Sequence, residues 1–243
     1  MISAVFFDVD FTLIYPGPMF RGEGYRAFGE RHGLRLDEAE FDRGVASASS
    51  LLESSGDTYD PEIFVQYAVR VIEEMGGRGA GVLPCAREIY DEWAACHHFE
   101  LYDEVPSVVR ELAAAGMRVG LISNTHRSLA SFESHFELTG LIAAAVASSE
   151  HGYMKPHRSI FDAALQLMKV EASEAVMVGD SVRQDIEGAL SVGMRAILLH
   201  RSDQPHPRAK ELATMGVPII GSLVGLGSAI TQLPDYPITK FSR

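Results

Sequence analysis

Short, unbroken apolar runs recur along this chain, and several of them stop at polar groups. Val5-Phe6-Phe7 runs into Asp8 and Asp10, Val119 to Ile122 into Ser123-Asn124, and Ala175 to Val178 into Gly179-Asp180-Ser181. Ala143 to Ala147 is a further run, followed downstream by Lys155, and Ala196 to Leu199 is the last. Runs that are apolar throughout, rather than alternating, predict strands buried on both faces, as in a parallel sheet between two layers of helices.

The segments between them have helical spacing. Helices are expected over Pro106–Ala115, Ser128–Phe136 and Ser159–Met168, and from Ser181 to Val192, where Gly193 supplies a left-handed stop. This alternation of strand and helix is the signature of βαβ units, so the fold class is α/β, a doubly wound Rossmann-like parallel sheet. The stretch after the first strand differs. Helices are expected over Phe20–His32, from Asp37 through Leu52, from Asp60-Pro61 to Met75, and over Cys85–His98, with no convincing strand among them. Phe64, Ile72 and Trp93 read as the core of that region. The chain therefore divides into an α/β core, residues 1–16 and 100–243, and a small all-helical domain, 17–99, inserted just beyond Asp10. After Ser202 the pattern supports a helix over Arg208–Met215 and an edge strand at Pro218-Ile219-Ile220, while the last dozen residues carry no clear signal.

Composition narrows the function more than the fold. The 243 residues are 47% hydrophobic and 22% charged, an ordinary soluble balance, and the formal net charge of −12 leaves no basic field for a nucleic-acid backbone. No apolar run reaches the ~18 residues a membrane span needs, and no basic leader precedes the first strand, so the expected location is the cytoplasm and no membrane partner is expected. Cys85 and Cys96 lack metal-ligand spacing and read as core thiols. His126, His151 and His157 form no pair with metal spacing and read as loop histidines.

Parallel strands point their carboxyl ends the same way, and ligands of open α/β sheets bind there. Asp8, Asp10, Ser123, Asn124, Lys155, Asp180 and Asp185 can therefore meet at one edge although far apart in sequence. Clustered carboxylates repel one another unless a hard cation such as magnesium neutralises them. Carboxylates, a hydroxyl and one amine are the inventory of phosphoryl transfer. Each residue also has a quieter reading. Ser123, Ser181 and Asp180 could cap helices, Lys155 could be a solvated surface lysine, and Asp185 could answer a helix macrodipole.

Taken together, Asp8-Val9-Asp10-Phe11-Thr12-Leu13, Ser123-Asn124, Lys155-Pro156 and Gly179-Asp180-Ser181 with Asp185 resemble the four motifs of the haloacid dehalogenase-like hydrolases, in order. The resemblance spans about residues 4 to 230, including a helical cap after the first motif. It implies a phosphatase that uses Mg2+ on a small phosphorylated metabolite. Asp8 would be the nucleophile and Asp10 the general acid and base. Ser123, Asn124 and Lys155 would hold the phosphate. Asp8, Asp10 (through its carbonyl), Asp180 and Asp185 would serve the metal, with Asp185 alternatively orienting Lys155. Thr12 and Ser181 would support the loops.

Family dehalogenases typically lack the second aspartate, and a phosphonatase would need a cap lysine, of which residues 17–98 contain none. A phosphomutase would use the same carboxylates, and a catalytically silent binding protein or a receiver domain could share the sheet. The silent protein usually sacrifices Asp8, Asp10 or Lys155, and the receiver is too small for this chain. Phe11 departs from the family, which often has glycine or asparagine there. A monomer and a cap-mediated homodimer are both allowed.

Overall fold

The computed structural model describes residues 1–54 and 56–233. The last-dozen segment left unread in the sequence lies largely outside them. In chain order the elements are β1 (Ala4–Phe7), β2 (Ile14–Pro16), α1 (Gly22–Arg31), α2 (Phe41–Ser54), α3 (Pro61–Glu74), α4 (Val82–Glu92) and β3 (Phe99–Leu101). These are followed by α5 (Val105–Ala114), β4 (Arg118–Ser123), α6 (Leu129–His135), β5 (Ile142–Ala147), α7 (Ser148–His151), α8 (Arg158–Met168) and β6 (Ala175–Gly179). The chain finishes with α9 (Gly188–Val192), β7 (Arg195–Leu199), α10 (Ala209–Thr214), β8 (Ile219–Ile220) and α11 (Leu226–Thr231).

Two compact units result, Met1–Tyr15 with Leu101–Arg243, and Pro16–Glu100. The first holds a six-stranded sheet of order β5-β4-β1-β6-β7-β8, whose pairings are parallel. β1 is central, and Ala4, Val5, Phe6 and Phe7 have no exposed surface. That accounts for its unbroken apolar run: helices cover both faces, so neither face can carry polar groups. Phe6, Ile122, Phe161, Met177 and Leu198 share one core cluster. β8, at the sheet edge, is the expected edge strand shortened to Ile219–Ile220.

Register positions the polar strand ends. Phe7 is level with Leu121 of β4 and Val178 of β6. Asp8 follows directly, its N–H donating to the Val178 carbonyl at 2.9 Å. Ser123 and Asp180 therefore fall within a residue or two of Asp8 along the same edge.

The Pro16–Glu100 unit is built from α1 to α4, with caps where the sequence suggests them. Asp60 accepts from the Glu62 N–H before Pro61, and Asp37 caps a 3-10 turn, Glu38–Glu40, that precedes α2. Phe20 gathers Phe28, Trp93 and Phe99 around it, with centroids 4.6 to 6.3 Å away. The expected Cys85–His98 helix ends early, at Glu92, and Cys96 lies in a separate 3-10 turn; both thiols are buried and not bridged in a disulfide. β2 and β3 form a separate two-stranded sheet that the sequence pattern did not predict. Among the described residues no helix is long and apolar enough to cross a membrane.

Gly120 shows how tightly β4 packs, since a Cβ there would sit 2.6 Å from both Phe6 Cδ1 and Met168 Cε. Gly120→Ala is expected to lower stability by about 1–3 kcal/mol through overpacking, read as a lower urea midpoint at unchanged m-value.

Candidate active site

At the carboxyl edge of the sheet, Lys155 is almost wholly buried and its ammonium lies between two carboxylates. Its Nζ is 2.6 Å from Asp8 Oδ1 and 2.7 Å from Asp185 Oδ1. Burial alone would depress a lysine, but Asp185 and Asp8 beside it outweigh that and hold Lys155 above its usual range. It is not a solvated surface lysine.

Asn124 fixes the backbone that carries this amine. Its Oδ1 accepts from the Lys155 N–H at 2.7 Å, and its Nδ2 donates to the Lys155 carbonyl at 3.0 Å and to Gln184 Oε1 at 3.2 Å. The Asn124 side chain thus braces Lys155 on both sides of its Cα. Asp185 lies in a wide π-type turn, Val182–Glu187, and is buried. Besides Lys155 it accepts from the Ser181 N–H at 3.0 Å through Oδ2. It therefore ties the β6 loop to the lysine, and its place is not that of a solvated helix aspartate. Ser181 takes its capping role, accepting from the Gln184 N–H at 3.2 Å.

One oxygen from each of Asp8, Asp180 and Asp185 lies within 4.8 Å of the others. Asp180 opens to solvent, yet desolvation in the crowded loop mouth and repulsion from Asp8 and Asp185 hold its carboxyl well above the usual range. Three carboxylates face one lysine there, an excess of negative charge that a divalent oxygen-seeking cation fits.

The Asp10 carboxylate points elsewhere. Arg127, with no exposed surface, places its Nη1 3.0 and 3.2 Å from the two Asp10 oxygens. Burial raises Asp10, Arg127 opposes that, and Asp8 adds to it. Sequence reasoning missed Arg127, since an arginine between a strand and a helix reads as surface. Its one signal was position, four residues after Ser123 on a strand-end loop. Ser123 is buried, and its Oγ meets no hydrogen-bond partner among the described residues, as is also true of Thr12 Oγ1. The Thr12 carbonyl accepts from Arg201 Nη2 at 3.1 Å.

Residues 2–193 match the haloacid dehalogenase-like hydrolase family. The chain belongs to this family. It is 29% identical over 207 residues to a glyceraldehyde 3-phosphate phosphatase of Pyrococcus abyssi, covering 81% of each chain. It is 30% identical over 212 residues to a ribulose-1,5-bisphosphate 5-phosphatase of Halopiger xanaduensis, covering 84% of this chain and 87% of that one. The fold is similar to that of a magnesium-bound HAD hydrolase of Bacillus subtilis, with TM-score 0.72, 17% identity and coverage of 94% and 98%.

Phe11 gives this HAD-like chain's first loop an unusual residue. The turn after Asp10 places it at φ +65°, in the left-handed region, with its ring half exposed. Glycine or asparagine reaches that region at less cost, a physical reason for the family habit. Phe11→Val is expected to be about 1–2 kcal/mol less stable than Phe11→Gly, as measured by urea denaturation.

Proposed function

We propose that this hydrolase is a magnesium-dependent phosphatase of a small phosphorylated metabolite, working through an aspartyl-phosphate on Asp8. The observation that carries the reading is the buried Asp8–Lys155–Asp185 ion array, with Asp180 converging on it at the carboxyl edge of the sheet. The two phosphatase relatives support the substrate class: both act on small sugar phosphates by name.

The residues then have the following work. Asp8 attacks phosphorus while Lys155 offsets the repulsion between a carboxylate and an incoming dianion. Ser123 Oγ, buried without a partner among the described residues, is free to donate to a phosphate oxygen. Asp10 protonates the departing alkoxide and afterwards takes a proton from the hydrolytic water. Asn124 and Asp185 keep Lys155 on target rather than touching phosphate. Asp8, Asp180 and the Asp10 carbonyl would hold Mg2+, with Asp185 behind them. The ion would supply charge neutralisation at the phosphate oxygens. In this reading the Pro16–Glu100 unit is the cap that supplies selectivity.

Hydrolysis of p-nitrophenyl phosphate is expected to require magnesium, to stop on chelation, and to fall at least about 1,000-fold in Asp8→Asn. Equal turnover in wild type and variant would remove Asp8 from the mechanism.

The acidic cluster also sets a pH dependence. Burial, with repulsion from Asp8, pushes the Asp185 carboxyl up to about 6 against the pull of Lys155. A carboxyl that binds its proton more tightly folded than unfolded stabilises the fold when protonated, and that contribution is lost as pH rises through the folded pKa. In EDTA the thermal midpoint is therefore expected to fall between about pH 4 and about pH 7. Millimolar magnesium is expected to restore it at the upper end by binding the folded state alone. A midpoint indifferent to magnesium would count against the metal site.

A further inference from the structure

Arg127 heads the fully buried side chains in volume among the described residues, ahead of every core phenylalanine. A guanidinium in that position has to be held by its surroundings, and the turn around it is fixed on both sides. The Arg127 N–H donates to Thr125 Oγ1 at 3.0 Å. The Thr125 carbonyl accepts from the Ser149 N–H at 3.2 Å and from Ser148 Oγ at 3.4 Å. Ser128 then caps α6 by accepting from the Ser131 N–H at 3.2 Å. From this anchored backbone the side chain reaches the β1 loop, where Nη1 contacts both Asp10 oxygens.

The two buried cations divide the carboxylates between them. Lys155 takes Asp8 and Asp185, while Arg127 takes Asp10. Asp10 stands on the turn that holds Phe11 in the left-handed region, and its carboxylate would otherwise be free to join the Asp8–Lys155 array two residues away. A buried charge partner that accounts for both of its oxygens removes that freedom.

We infer that Arg127 is the positioning residue of Asp10, keeping the proton-exchanging carboxylate off the Lys155 ammonium and fixed in one place on the β1 loop. The inference rests on the phosphatase reading above. In the first step an Asp8 oxygen bonds to phosphorus as the bond from phosphorus to the ester oxygen breaks. The ester oxygen keeps the electron pair and takes the proton of Asp10. In the second step a water oxygen bonds to phosphorus, Asp8 is released, and the water's proton returns to Asp10. Arg127 touches neither substrate nor water; it acts through where Asp10 stands.

The experiment uses the full chain with magnesium and two aryl esters, p-nitrophenyl phosphate and phenyl phosphate, reading kcat/KM. This constant covers steps up to departure of the first leaving group. p-Nitrophenolate departs without a proton, whereas phenolate depends on one much more. Arg127→Met is expected to lower kcat/KM about 100-fold for phenyl phosphate and no more than about 10-fold for p-nitrophenyl phosphate, within the range general acid catalysis supplies. The ratio of the two rates in one sample does not depend on how much of the protein is folded, so a merely structural role would leave it unchanged. Arg127→Lys, which keeps a charge on a shorter side chain that cannot bring its nitrogen to the Nη1 position, is expected to shift the ratio the same way by less. It also carries the comparison if the methionine variant accumulates poorly.

In an Asp10→Asn background, Arg127→Met is expected to change the ratio no further. Equal losses for both esters, or a further change in the Asp10→Asn background, would overturn the inference. A wild type without magnesium-dependent turnover, or an active Asp8→Asn, would instead overturn the phosphatase reading.

Discussion

The site depends on one ammonium. Lys155 is buried against Asp8 and Asp185, and a charge so placed is tolerated only where its partners are fixed. Much of the surrounding geometry follows. Asn124 grips the peptide groups on both sides of Lys155, so the side chain starts from a defined point. Gly179 is a glycine because Asp185 fills its Cβ space: an added carbon would lie 2.2 Å from Asp185 Oδ2. Ser181 holds the far oxygen of Asp185. Removing any one of these loosens the lysine.

A second feature is the separation of carboxylates by cation. Asp8, Asp180 and Asp185 crowd together and share one lysine, an arrangement suited to a divalent ion. Asp10, only two residues from Asp8, is drawn to Arg127. Neighbours in sequence thus belong to different electrostatic settings, one a cluster of carboxylates around a buried lysine and the other a single carboxylate against a buried arginine.

Much of this was legible in the sequence, and the reason is physical. A strand buried on both faces has to be apolar throughout, so β1, β4 and β6 announce themselves, and their polar ends mark the carboxyl edge. What was hidden depends on partners distant in the chain. Three residues of β2 become a strand only because Phe99–Leu101 pairs with them, and no local pattern encodes that. The stretch after Ser181 reads as one regular helix, but it opens as a π-type turn that carries Asp185 inward to Lys155. Arg127 is polar, and polarity predicts the surface; the carboxylate of Asp10, distant in the chain, is what meets its charge inside. Asn124 sits among groups expected to meet phosphate, yet its amide is occupied by Lys155.

The strand order has a consequence for how the chain is made. β1 lies between β4 and β6, and its partners begin at Arg118 and Ala175. On the ribosome, the most apolar strand exists long before either neighbour, while the whole Pro16–Glu100 unit is synthesised in between. Such long-range parallel pairing is slow, and it leaves an unpaired sticky segment exposed during the delay. Synthesis of the helical unit thus defers completion of the sheet, and β1 stays without its neighbours until Arg118 and then Ala175 have been made.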